Sequence, residues 1–141
     1  MGLIVLILQT LLFLHVTGAI TLGFYLLLPL LLHSSLKQPE DARLGQLRLI
    51  RHLNRIGQWI LLVQLATGGY LISLGTYSVA WITAVITLFT AVGAAGGMLG
   101  VVLRRVINGR TEAMRQAFWY SAAAGLAFVL LLVLKKFPQI L

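Results

Sequence analysis

The sequence predicts an all-α integral membrane protein, a four-helix bundle with both termini outside the cell and the second helix extended into the cytoplasm. Of the 141 residues, 60% are hydrophobic and only 10% are charged, whereas soluble domains carry about 25% charged residues. The mean hydropathy is +0.97. The 11 basic and 3 acidic side chains cannot cover the surface of a soluble protein of this size. The same apolar excess rules out a disordered chain.

Four apolar segments are each long enough to cross a bilayer, for which roughly 20 residues are needed. They form one transmembrane domain over residues 1–141, with spans at about 3–32, 56–74, 79–103 and 113–134. The first segment lacks the basic start of a signal peptide and is longer than a signal peptide's apolar core. We therefore expect it to be retained as the first helix.

The basic residues cluster in two of the loops, and this asymmetry predicts the orientation. They are Lys37, Arg43, Arg48, Arg51 and Arg55 before the second span, and Arg104, Arg105, Arg110 and Arg115 between the third and fourth. The positive-inside rule places both loops in the cytoplasm. The net charge of +8 then reflects topology and does not indicate nucleic-acid binding. We expect a multi-pass protein of a bacterial cytoplasmic membrane.

The sequence of the first basic loop predicts the start of a helix. Pro39 suits a helix start, and the acidic residues Glu40 and Asp41 favour its first turn. The second helix is therefore expected to begin near Glu40 and to project into the cytoplasm. Arg51 and Arg55 then follow one another at helical spacing, as expected of a stripe that contacts anionic lipid headgroups. The alternative is that the stripe binds a specific partner or the acid group of a cofactor.

The second basic loop and the glycines around it predict a tight turn and close helix packing. Asn108-Gly109 is typical of a helix end, and Thr111 is a candidate cap for the fourth helix. Three pairs of small residues occur four positions apart: Gly93 with Gly97, Gly96 with Gly100, and Ser121 with Gly125. Such pairs allow helix backbones to approach closely in lipid. Alternatively, the glycines make room for a flat ligand or a second subunit.

His15 is the only ionisable side chain well inside a span, and such residues indicate function. It lies about twelve residues, or roughly 18 Å, into the first helix, which predicts a position near mid-bilayer. A stable zinc site needs three or four protein ligands, whereas haem iron needs only one or two. There is no cysteine and no second intramembrane ligand. Among metal-containing groups the sequence therefore fits haem better than a bare metal ion, with any second ligand from another chain; the alternative is a structural hydrogen bond from His15 to a neighbour such as Gln64 or Thr67.

No other constellation predicts a reaction. The spans hold no carboxylate, and the sequence contains no serine-histidine-aspartate set and no phosphate-binding loop. The sequence therefore does not predict an enzyme.

Several segments together suggest a family. They are Leu14-His15-Val16-Thr17-Gly18-Ala19, Trp81, the run Gly100–Arg105 with Asn108-Gly109, and Lys135-Lys136-Phe137-Pro138. This pattern resembles the small membrane proteins around the HemJ-type protoporphyrinogen oxidases and the CopD-like copper-resistance domain. The resemblance implies that His15 is a haem b ligand. The family's lysine and Tyr-His of helix three correspond here to Ala84-Val85 and Ala94-Ala95, so haem binding is implied without the oxidase activity.

Two functions are expected from these observations. The first is a haem b-binding protein for haem handling or electron transfer, with His15 as axial ligand, Gly93 and Gly97 beside the macrocycle, and Arg51 or Arg55 paired with the propionates. The second is a non-catalytic accessory subunit of a larger respiratory or photosynthetic complex. A homodimer is compatible with either.

Overall fold

The computed structural model describes residues 1–138, and every regular element in that range is helical. Four of its helical segments are long and apolar enough to span a membrane. The predicted all-α four-helix membrane fold is thus confirmed. Residues 139–141 of the predicted domain lie outside the described residues.

The first span is divided into two helices. Helix α1 covers Gly2–Leu22, a 3₁₀ turn follows at Gly23–Leu26, and α2 covers Leu28–Ser35. From the sequence, Pro29 is expected to kink or end the first helix. In the structure Pro29 lies in the first turn of α2, where its missing N–H removes no helical bond. The break comes earlier because a proline ring clashes with the carbonyl four residues before it, here that of Tyr25.

The second span belongs to one long helix. Helix α3 runs over Glu40–Ser73, 34 residues, or about 51 Å at 1.5 Å per residue. Its start at Glu40 confirms the predicted extension beyond the apolar segment. Pro39 is the residue that precedes the first turn.

The remaining two spans are α4, Val79–Ile107, and α5, Met114–Lys136. Ser78 caps α4 by accepting a hydrogen bond from the Trp81 backbone N–H at 3.1 Å. The turn after α4 contains Gly109 at φ +97°, a left-handed conformation that glycine adopts without strain, as the sequence predicts. The expected cap at Thr111 is wrong: this residue opens a 3₁₀ turn, Thr111–Ala113, and its side chain caps no helix.

The helices pack around Tyr25, which is fully buried. Helix α3 packs against α1 and α4, α4 packs along α5, and the 3₁₀ turn and α2 pack against α5. The short links at 36–39 and 108–110 therefore lie at one end of the bundle, called here the basic end. The link at 74–78 lies at the opposite end.

Glycines allow close approach at some of the predicted positions only. A Cβ at Gly96 would lie 2.7 Å from the Tyr25 hydroxyl, and one at Gly125 would lie 3.1 Å from the Tyr25 carbonyl oxygen. A Cβ at Gly93 or Gly97 would meet nothing within 4 Å. The pairs containing Gly96 and Gly125 thus include a packing residue, whereas Gly93 and Gly97 make no close contact within the described chain.

The orientation gives a first testable prediction. A reporter inserted between Asn108 and Gly109 should read as cytoplasmic, and one inserted at Thr76 should read as extracytoplasmic, because the Arg-rich ends of α3 and α4 lie at the basic end. Paired alkaline phosphatase and green fluorescent protein fusions measure this directly. The opposite result at both positions would reverse the orientation.

Candidate functional site

Four polar side chains of α3 are bonded to the other helices. Asn54, Gln64 and Thr67 are buried and Gln58 is half-buried. Asn54 and Gln58 bond to α4 and the 3₁₀ turn, whereas Gln64 and Thr67 bond to α1 on another side of α3. The Gln58 amide donates to the Tyr25 hydroxyl at 2.8 Å. Because lipid offers no hydrogen-bond partners, polar groups in a membrane protein are satisfied inside the bundle. These four side chains therefore fix the register between α3 and its neighbours.

His15 contacts α3 through Thr67. The Thr67 hydroxyl donates its only proton to a backbone carbonyl, that of Val63, at 2.8 Å. Its oxygen can then accept from His15 Nδ1, which lies 3.0 Å away, in the tautomer that carries the proton on Nδ1. A neutral imidazole has one ring proton, so Nε2 has a free lone pair in this tautomer. No residue in the 1–138 range forms a hydrogen bond with Nε2.

The backbone of His15 is also bonded to α3. The Gln64 amide donates to the His15 carbonyl oxygen at 2.7 Å. It reaches that atom because Gly18 has no side chain: a Cβ there would collide with the Gln64 amide. Gly68 lies beside the ring, where a Cβ would approach His15 Cε1 to 3.0 Å. Two glycines and two polar residues thus position His15 on α3. The hydrogen bond between His15 and Thr67 that the sequence suggests is present.

The structure does not bring the other predicted site residues to His15. Thr67 lies twelve residues beyond Arg55 on α3, roughly 18 Å along the axis, and Arg51 is one turn further away. Gly97 lines a cleft with Arg51 and Arg55 near the basic end. Gly93 is one turn from Gly97 and belongs to the same part of α4. His15 and the four other residues therefore occupy two separate regions of the bundle.

The remaining metal-binding side chains are scattered. His33 and His52 are exposed and lie on α2 and on the basic end of α3. Within residues 1–138, no three histidine, aspartate or glutamate side chains come close enough to hold a metal ion. A site on this chain would therefore take a metal that needs few protein ligands.

Sequence reasoning missed two residues that the structure places centrally, Tyr25 and Asn54. Asn54 is 2% exposed although arginine and histidine surround it in sequence. The signal that could have found it is helical spacing, because it falls on the same side of α3 as Ile50, Gly57 and Leu61, all buried. Nothing in the sequence distinguishes Tyr25 from the exposed aromatic residues.

No protein-family model, no curated protein and no solved structure matches this chain.

Proposed function

We propose that this protein binds haem b in the membrane, with His15 Nε2 as an axial ligand, and serves haem handling or electron transfer. The observation that supports the proposal is the bond from His15 Nδ1 to Thr67, whose own proton goes to the Val63 carbonyl. Histidines that bind metals characteristically donate their other ring N–H to a fixed acceptor, which sets the tautomer and the ring orientation. Here the same arrangement leaves Nε2 as the ligating atom.

The surroundings of His15 are compatible with that role. Haem iron accepts a single protein histidine, and haem supplies one-electron chemistry when it is bound. At the level of His15, α1 packs against α3 and makes no comparable contact with α4 or α5. Leu14 and Val16 are correspondingly exposed, at 43% and 42%. A second axial ligand would come from another chain, since His33 and His52 lie elsewhere.

The exposed α1 also favours a second candidate, an accessory subunit of a larger membrane complex. Its apolar side chains from Leu3 to Leu8 are 39–71% exposed, so α1 offers a long face that a partner helix could cover. In this case His15 would be a structural residue that joins α1 to α3. The two candidates differ in one simple property, the colour of the purified protein.

An absorption spectrum therefore tests the proposal. Protein purified in mild detergent from haem-supplemented cells should show a Soret band and a reduced-minus-oxidised spectrum of b type. Arg55→Ala should leave the haem content unchanged, because Arg55 lies roughly 18 Å along α3 from the His15 contact. A protein without Soret absorbance under these conditions would favour the accessory subunit.

A further inference from the structure

A cleft of about 250 Å³ lies between α3 and α4 near the basic end. Three arginines line it: Arg51 and Arg55 from α3, and Arg104 from α4. The rest of its wall consists of Asn54, Gln58, Gly96, Gly97, Gly100 and Val101. None of these residues contacts His15, so the cleft is independent of the proposed haem ligand.

The cleft carries positive charge without a counter-charge from the protein. The only acidic side chains of the chain are Glu40, Asp41 and Glu112, and none of them lines the cleft. Arg51 and Arg55 are one helical turn apart on the same side of α3, so their guanidinium groups repel each other. Guanidinium groups bind phosphate oxygens through paired N–H donors. The charge pattern therefore indicates a phosphate-bearing ligand.

The buried side chain of Asn54 indicates that the ligand carries a hydrogen-bond donor as well as a phosphate. The Asn54 side-chain amide Nδ2 donates to the Gly96 carbonyl oxygen at 2.8 Å. Because a carbonyl oxygen can only accept, this bond identifies the amide nitrogen and the amide oxygen. The other end, Oδ1, is buried and receives no hydrogen bond from any described residue. Buried acceptors are nearly always satisfied in folded proteins. Asn54 lines the cleft, so a ligand whose hydroxyl or amide donor enters beside its phosphate is the candidate partner for Oδ1.

Three of the α4 residues that line the cleft, Gly96, Gly97 and Gly100, have no side chain. A Cβ at Gly97 would meet nothing within 4 Å and would project into open space. The rim beside it is apolar, with Val101 47% exposed. An amphipathic ligand could thus place its polar group among the arginines and its chains along this rim.

We propose that the cleft binds the headgroup of an anionic phospholipid that carries a free hydroxyl, as phosphatidylglycerol does. The phosphate would pair with Arg51, Arg55 and Arg104, and the headgroup hydroxyl would donate to Asn54 Oδ1. A membrane lipid is favoured over a free phosphate ester because the arginines lie where the apolar segment of α3 begins, the level at which anionic headgroups lie.

The test uses the full chain in detergent and measures lipid binding by native mass spectrometry. Phosphatidylglycerol should bind about tenfold more tightly than phosphatidylethanol, which has the same charge but no headgroup hydroxyl, since the difference is one hydrogen bond to a buried acceptor. Asn54→Leu should remove this preference. Equal binding of the two lipids by the wild type would refute the role of Asn54.

Two glycine-to-leucine variants, one inside the cleft and one outside it, test whether the lipid binds in the cleft. Gly97→Leu fills the cleft without meeting another atom at its Cβ and should reduce phosphatidylglycerol binding at least tenfold. Gly93→Leu adds the same side chain at an equally open position that does not line the cleft, and it should bind the lipid as the wild type does. Equal binding by both variants would overturn the proposal. If soluble glycerol phosphate displaced the lipid at millimolar concentration, the ligand would be a free phosphate ester and the lipid assignment would be wrong.

Discussion

Replacement of His15 by alanine is expected to abolish the haem absorbance of the purified protein while all four spans remain inserted. The variant removes the only imidazole at this level of the described bundle, and alanine is less costly than histidine inside a bilayer. The haem-to-protein ratio, measured by pyridine haemochrome, should fall to background. A variant that keeps the wild-type ratio would end the haem proposal.

Three further variants show whether the loss is specific to the ligand. His33→Ala and His52→Ala change exposed residues near the basic end and should leave the spectrum unchanged. Thr67→Val keeps the shape of the side chain but removes the acceptor of the Nδ1 proton. Loss of such an outer partner typically weakens metal binding about 10–100-fold, so this variant should lose haem on dilution although His15 is intact. A spectrum insensitive to Thr67→Val would mean that the tautomer argument is wrong.

The second large effect is a loss of thermal stability, which we expect when Gly96 is replaced by leucine. Gly96→Leu places a side chain against the Tyr25 hydroxyl, 2.7 Å from the new Cβ, and against the Gln58 amide that donates to that hydroxyl. Tyr25 is fully buried and cannot move aside. Overpacking of this kind destabilises by about 1–3 kcal/mol and should lower the melting temperature in detergent by about 5–10 °C.

Gly97, the next residue of α4, provides the control variant for this loss of stability. Gly97→Leu has the same change in volume and helix propensity, but its Cβ meets nothing within 4 Å. Its melting temperature should stay within about 2 °C of the wild type, as for most exposed substitutions. Equal destabilisation by the two variants would show that glycine matters for α4 itself and not for its contact with Tyr25.

The fold could be predicted because the information for it is local. A run of roughly 20 apolar residues specifies a span, and Asn108-Gly109 specifies a turn without reference to any distant residue. The break in the first span was predicted at the wrong place for a related reason. Pro29 is visible in the sequence, but its effect falls one turn earlier, beside Tyr25, and the packing of that turn against α5 involves a distant segment.

The candidate sites could be predicted only in part, since they depend on how far one helix is shifted along another. Counting residues predicts how deep His15 lies within α1. It does not predict which residue of α3 lies opposite His15. The haem hypothesis therefore combined His15 with Arg51 and Arg55, which the register of α1 on α3 keeps apart. Asn54 was missed for another reason: its neighbours in sequence are charged, although its side of the helix is buried.

The burial of Tyr25 has a consequence for how sequences related to this one can diverge. Gly96 faces its hydroxyl, 2.7 Å from a Cβ, and the Gln58 amide that donates to that hydroxyl, so smaller residues at positions 25 and 58 together would permit a larger one at 96. Gly125 faces the carbonyl oxygen of Tyr25, which every amino acid possesses. Positions 25, 58 and 96 should therefore covary in size across relatives, whereas position 125 should stay small whatever residue occupies position 25.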